Sequence, residues 1–294
     1  MDGITKNTGL IIKCVGGDYY VETPSGVSAY KARGVFRNRG ITPLAGDRAV
    51  VDGGVITEIL PRKNSIIRPP LANLDQLVFV VSVCEPKPNL TILDKFLAVA
   101  AYKEIERVIV FTKTDLAECK EQIAFLTDVY KNAAEVITVD YSSGDGSGVA
   151  QVREILAGKI SAFTGNSGVG KSTLLNKLNP HLALETGEIS EKLGRGRHTT
   201  RHSELYRLGG GYIADTPGFS TFDFIKYERI DRGELAACFP EFSDYTGHCR
   251  FRDCSHIKES GCAVIGAAEA GKIPPSRHNS YKVIYAELAA ARYN

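Results

Sequence analysis

Residues 165–173 read GNSGVGKST, and the reading of the whole chain turns on them. Gly165, Gly170, Lys171 and Ser172 have the spacing GxxxxGK[ST] of a phosphate-cradling loop. An apolar strand, KISAFTG, feeds the loop and a helix, STLLNKLN, leaves it. A glycine-rich turn before an ordinary helix does not require strand, loop and helix in this register, so the segment reads as a nucleotide site. Backbone N–H groups of Gly165, Asn166, Ser167, Gly168, Val169, Gly170 and Thr173 can curl around phosphate oxygens, where the helix N-terminus adds a favourable dipole. Lys171 contributes a point charge, and the Ser172 hydroxyl is the expected ligand of Mg²⁺.

A phosphate loop alone does not choose between purines. Residues 111–116, FTKTDL, supply the missing half. A carboxylate such as Asp115 accepts two hydrogen bonds from guanine N1 and N2, where adenine offers no matching donors. The Lys113 stem is expected to pack over the base, with Thr114 between them in the loop. Asn usually opens this motif; here Thr112 stands in its place, leaving a hydroxyl to do part of the positioning. Ser142 and Ser143, after the strand EVITVD, fit a short loop that meets guanine O6 through backbone N–H groups.

Residues 215–218, DTPG, end the strand GYIAD. Asp215 can hold the Mg²⁺ shell, and Gly218 can offer its N–H to a γ-phosphate. Between the two phosphate segments lies GRGRHTTRH (194–202), which reads as a mobile loop. Thr199 or Thr200 in it can add a second Mg²⁺ ligand. Many GTPases carry Gln directly after this DxxG motif to orient the attacking water. Phe219 occupies that place and can neither donate nor accept, so intrinsic hydrolysis is expected to be slow. His198 of the loop, or a partner that orders the loop, is the expected remedy.

In ordinary GTPase domains the phosphate loop comes first and the base-reading segments last. Here the order is reversed. The helix GVAQVREIL reads as the usual last helix and runs through residues 157–158 into the usual first strand. Joining the old termini and cutting after DTPG leaves every strand in place, because the ends of a compact domain are often neighbours. The cut makes the γ-phosphate segment lead directly into the C-terminal region, so nucleotide state is expected to move that region relative to the rest.

Upstream, residues 1–68 alternate short strands with the turns GGD, PSG, AGD and DGG, as in a small β-barrel. The period alone does not separate an oligonucleotide-binding (OB) barrel from an SH3-like one. Residues 1–70 hold ten Lys/Arg against six Asp/Glu, four of the ten (Lys31, Arg33, Arg37, Arg39) in YKARGVFRNRG. Such a run is usually a solvated face, and a phosphate backbone is the other reading. LPRKNSIIRPP (60–70) reads as a linker. Downstream, HCRFRDCSHIKESGC places Cys249, Cys254, His256 and Cys262 within fourteen residues. Three thiolates and an imidazole form a closed tetrahedral set suited to structural Zn²⁺, with chance clustering as the alternative. Cys14, Cys84, Cys119 and Cys238 are scattered and read as buried small hydrophobes, and seven cysteines argue against a disulfide framework. With 43% hydrophobic and 24% charged residues, no membrane-spanning run and no secretory pattern in MDGITKNTGLIIKC, a cytoplasmic chain is expected.

A basic barrel, a GTPase domain in circularly permuted order and a C-terminal Cys/His cluster together resemble the ribosome small-subunit-dependent GTPase A family, over essentially the whole chain. Asp115, Lys171, Ser172 and Gly218 match that family's positions directly, and its pattern favours Thr200 over Thr199. The cluster spacing resembles the family's zinc site. The resemblance implies a multidomain fold: an OB-like barrel (1–68), a permuted α/β P-loop GTPase domain (69–222) and a helical zinc-binding domain (223–294). It implies a GTP-hydrolysing ribosome biogenesis factor with one structural Zn²⁺ per chain and Mg²⁺ with GTP. Its partners would be the small (30S) ribosomal subunit, 16S-type rRNA and GTP/GDP, with no membrane, and a monomer is expected. Two other readings share part of the pattern. One is an RNA-binding protein that uses guanine nucleotide mainly as an affinity switch. The other is a P-loop ATPase or kinase unconnected with ribosomes, against which Asp115 stands.

Overall fold

The near-continuous apolar runs form a parallel sheet. Strands β8 (Gln76–Ser82), β9 (Glu106–Thr112), β10 (Glu135–Thr138), β11 (Ile160–Thr164) and β13 (Gly211–Asp215) lie in the order β10-β9-β8-β11-β13, with β12 (Glu204–Leu208) antiparallel beside β13. The computed structural model describes residues 7–38, 40–67, 69–116, 119–142, 148–179, 203–215 and 230–290. Alternate side chains of β8 serve opposite faces, as a sheet covered on both sides requires. Leu77 and Phe79 join a core with α2 (Leu90–Tyr102) and α3 (Lys120–Tyr130), whereas Val78 and Val80 join a second core with α4 (Val149–Leu156) and α5 (Lys171–Leu178).

The N-terminal strands β1 (Asn7–Val15), β2 (Asp18–Thr23), β3 (Gly26–Ala32), β4 (Arg48–Asp52) and β5 (Val55–Ile59) close a barrel in the order β1-β2-β3-β5-β4, with β4 returning to β1. The parallel β3–β5 contact and the short helix α1 (Gly34–Asn38) before β4 give it the OB-like form that hydrophobic period alone left open. Ile11, Val21, Phe36, Ala49, Val51 and Ile56 fill it.

The expected linker is instead a packed joint. Strands β6 (Ser65–Ile66) and β7 (Leu71–Ala72) pair as a small hairpin. The Arg62 guanidinium forks onto both oxygens of the fully buried Asp47 carboxylate, each at 2.7 Å. The Ala72 N–H donates to Ala45, and Gly46, at φ +95°, leaves no room for a side chain: a Cβ would fall 2.0 Å from the Ala72 carbonyl oxygen. A second seam runs from β1 to β12, where Lys13 opposes Glu204 and their side chains bond at 2.8 Å. Arg207 meets Glu22 across the same seam at 2.7 Å.

The C-terminal region consists of two 3-10 turns (Arg232–Cys238 and Pro240–Phe242) and helices α6 (Ser243–Thr246), α7 (Ala263–Glu269) and α8 (Pro275–Ala290). Leu235, Phe239, Phe242, Tyr281 and Ile284 share one core with Leu93, Phe96 and Leu97 of α2. Arg277, only 1% exposed, bonds Asp94 of α2 at 2.5 Å and Glu241 at 2.5 Å, under the rings of Phe239 and Tyr130. Burial pushes the Asp94 carboxyl up, against the pull of the guanidinium. Residues 230–290 are thus fused to α2 by a core and a buried ion triad. Removing one member of such a triad leaves buried charge uncompensated, at a cost of about 3–5 kcal/mol. Arg277→Ala is expected to lower stability to urea by that amount, read from the unfolding midpoint; a loss below about 1 kcal/mol would show the triad to be dispensable.

Candidate nucleotide site and metal centre

Parallel strands carry all their carboxyl ends to one rim, where ligands of open α/β sheets bind. The rim gathers the loop after β11 (165–170), the end of β9 with residues 113–115, and residues 140–142 after β10. The backbone of Asp215 ends β13 at the same rim. Ser143, His198, Thr199, Thr200, Gly218 and Phe219 lie outside the described residues, as does the side chain of Asp215.

Close approach shapes the phosphate loop. A Cβ on Gly165 would lie 2.5 Å from the Val80 carbonyl oxygen, so only glycine can leave β11 across β8. Gly170, at φ +90°, turns the chain into α5 from the left-handed region that glycine favours. Val169 is buried and anchors the loop, while Asn166, Ser167 and Gly168 stand exposed. Lys171, Ser172 and Thr173 form the half-buried first turn of α5.

The segment expected to read the base, residues 112–115, is bolted to that loop. Thr112 is fully buried, and its hydroxyl donates to the Val169 carbonyl at 2.5 Å, with the Val81 carbonyl 3.3 Å away. The residue that departs from the usual Asn thus ties the two halves of the site together. Thr114 donates to the Val139 carbonyl at 3.0 Å, which joins the segment to the strand on its other side. Lys113 sits at φ +60°, a strained conformation for a side chain with Cβ, and its ammonium donates to the Glu85 carbonyl. Asp115 is exposed at the mouth. The N–H and hydroxyl of Ser142 both donate to Asp140, each at 2.7 Å, and fold 140–142 into a tight turn. Its Tyr141 donates to the Gly170 carbonyl at 3.2 Å, a second bolt between base and phosphate segments. Sequence reasoning missed Tyr141 because an aromatic beside two serines carries no spacing signal.

Two cysteines correct the expectation of scattered small hydrophobes. Cys84 and Cys119 are disulfide-bonded, with Cα atoms 6.0 Å apart, across the loops that follow β8 and β9. The parallel pairing of those strands brings together residues 35 apart in sequence. Cys14 and Cys238 are not disulfide-bonded, and burial raises their thiols to about 12 and about 11.

Cys249, Cys254, His256 and Cys262 do converge, with all four ligand atoms within 4.8 Å of one another. Zinc bonds of about 2.3 Å to sulfur and about 2.0 Å to nitrogen give tetrahedral edges of about 3.8 Å and about 3.5 Å. The Cys249 and Cys262 sulfurs are 3.8 Å apart, and His256 Nδ1 lies 3.5 and 3.4 Å from them. Those are the edges of a zinc tetrahedron. Burial lowers the His256 imidazole below its ordinary value and favours the neutral form that ligates. Burial, with the neighbouring sulfurs, raises Cys254 to about 12, so thiolates here require a cation. His256 adopts φ +61°, and its carbonyl lies 2.9 Å from His278 Nε2 of α8. Glu259 folds the loop inward: burial opposes its ionisation, but the Ser255 hydroxyl and backbone N–H groups hold the carboxyl down to about 2.

A family model of the RsgA GTPase matches residues 59–225, and one of the RsgA N-terminal domain matches residues 8–53. The small ribosomal subunit biogenesis GTPase RsgA of Bacillus anthracis is 41% identical over 288 residues, covering 95% of this chain and 97% of that protein. Its namesake from Geobacillus thermodenitrificans is 44% identical over 287 residues, with the same coverage of 95% and 97%. Among solved structures, YjeQ from Thermotoga maritima superposes with a TM-score of 0.83 at 34% identity, over 97% of this chain and 99% of that one. YloQ, a circularly permuted GTPase, gives 0.80 at 32% identity over 100% of both chains. The GTPase model spans more than half of the chain and the relatives align along nearly all of it: the chain belongs to the RsgA GTPase family.

Proposed function

We propose that this chain hydrolyses GTP in the biogenesis of the small ribosomal subunit, binding the subunit and its rRNA and turning over faster when bound. The observation that carries the reading is the hydroxyl of Thr112 on the Val169 carbonyl, which holds a guanine-reading segment and a phosphate loop on one rim. The N–H groups of 165–170 cradle the phosphates, and Lys171 neutralises their charge. Asp115 accepts from guanine, Lys113 covers the base face, and the backbone at Ser142 and Ser143 meets O6. Ser172, Thr200 and Asp215 hold Mg²⁺, which when bound offsets charge on the β- and γ-oxygens. Gly218 offers its N–H to the γ-phosphate, and His198 positions the water once the partner orders its loop. Cys249, Cys254, His256 and Cys262 hold a structural Zn²⁺; with four protein ligands it has no open position for chemistry.

The working division is a nucleic-acid-binding barrel (1–68), the GTPase (69–222) and the metal domain (223–294), acting as a cytoplasmic monomer. No described helix is long and apolar enough to cross a membrane. Phe219, in place of a water-orienting Gln, favours a second reading in which nucleotide serves mainly as an affinity switch for RNA.

Purified protein is expected to turn over GTP slowly alone, much faster with purified small subunits, and ATP in neither case. Lys171→Ala should cut stimulated turnover by about a hundred-fold or more. Nucleotide-tuned RNA affinity without stimulated turnover would decide for the second reading. Asp115→Asn should weaken GTP binding by at least about ten-fold and shift preference toward xanthine nucleotide; unchanged affinity would remove Asp115 from the pocket. Chelation should open residues 245–265 to protease while the sheet persists, and undiminished resistance there would sink the structural metal.

A further inference from the structure

The metal knuckle presents a feature that neither the nucleotide site nor the cluster uses. Between Cys249 and Cys254 the chain reads Arg250, Phe251, Arg252, Asp253, all exposed. Phe251 is 46% exposed, and the Arg250 guanidinium lies 5.5 Å from its ring centroid. Both ends of the loop are fixed on the cluster, and the Arg250 N–H donates to the Gly261 carbonyl at 3.0 Å. A Cβ on Gly261 would come within 3.0 Å of the Arg250 side chain, so the loop is pressed against its own base. Among the described residues neither Arg250 nor Arg252 is in an ion pair. Of the two acids nearby, Asp253 of the loop pairs with neither arginine, and Glu259 is turned inward onto Ser255 and the backbone. Lys258 adds a further exposed cation.

An apolar ring held out in water and flanked by two unpaired guanidiniums matches one partner chemistry well. Unpaired RNA bases stack on aromatic rings while the phosphates on either side take the cations. We propose that Phe251 is a platform on which an unpaired base of single-stranded RNA stacks, with Arg250 and Arg252 holding the flanking phosphates. This deepens the proposed function, on which it rests for RNA as the partner. The knuckle's rigidity is what makes the platform effective: little order is lost when the base arrives.

The chain contains no tryptophan, so Phe251→Trp introduces a single indole reporter at the platform. The full-length, metal-loaded variant is titrated with a twelve-nucleotide single-stranded oligoadenylate, with an abasic oligomer of the same length, and with polyglutamate. Indole quenching by oligoadenylate and not by the abasic oligomer is expected. Phe125→Trp is the control, because Phe125 is 50% exposed but lies on α3 away from the knuckle arginines. It should show no quenching. In parallel, Phe251→Ala should weaken oligoadenylate binding about ten-fold, read by anisotropy, and leave the abasic oligomer unaffected. Arg252→Ala should weaken both and flatten the salt dependence by about 0.7 in log–log slope. Unchanged indole emission in the presence of oligoadenylate, whether or not RNA binds elsewhere, overturns the proposal. A response to polyglutamate alone also overturns it and puts an acidic protein on the knuckle. Subunit-stimulated GTP turnover of the unsubstituted chain is read separately. Its presence without quenching removes only the platform, and its absence removes the ribosomal reading whatever the indole does.

Discussion

Everything at the nucleotide site depends on β8 pairing in parallel with both β9 and β11. β8 comes first along the chain among these strands yet lies between them in the sheet. Its register is fixed by a buried amide: Gln76 is fully buried, and its Nε2 donates to the Ser161 hydroxyl at 2.9 Å and the Ile155 carbonyl at 3.0 Å. A slip of β8 by one residue would strand that amide and exchange the two faces of the strand. With the register held, the ends of β9 and β11 arrive close enough for Thr112 to reach Val169.

That bond explains how a permuted chain keeps a working geometry. The permutation leaves the strands in place but separates base-reading and phosphate segments along the chain in an unfamiliar order, so their alignment has to come from contacts across the rim. Thr112 on Val169 and Tyr141 on Gly170 are two such contacts, both directed at backbone carbonyls and so insensitive to which residue was covalently first. The cost of permutation appears at the other end of the domain. Among the described residues beyond 215 none joins the sheet as a strand, and residues 230–290 are secured instead by packing on α2 and by Arg277.

The three parts of the chain are also less separable than their compositions imply. The stretch 60–75 fastens barrel to sheet through Arg62 on Asp47 and the Gly46–Ala72 contact, and β1 reaches β12 directly. A ligand on the barrel is thus mechanically connected to β12, and a ligand on the metal knuckle to α2 through His278, Tyr281 and Arg277 of α8. The second coupling runs through buried polar groups, which resist small displacements because an unmade bond there is costly.

Parts whose chemistry is local can be read from the chain before it folds. The phosphate loop is legible because its glycines, lysine and serine lie within a few residues of one another, and the Cys/His cluster because its four potential ligands lie in one short loop. The parallel sheet is legible because burial on both faces demands unbroken apolar runs such as QLVFVVS. Features that join residues far apart in the chain emerge only on folding. The barrel's closure needed β1 to pair with both β2 and β4; the linker became a joint because Arg62 finds Asp47; Cys84 met Cys119 because β8 and β9 run side by side. Arg277 carries no signal in the sequence, and only the packed chain encloses it between α2 and Glu241. Local spacing encodes which groups can act together within a loop, but a side chain's burial and partner are properties of the packed chain, set by neighbours that no sequence window contains.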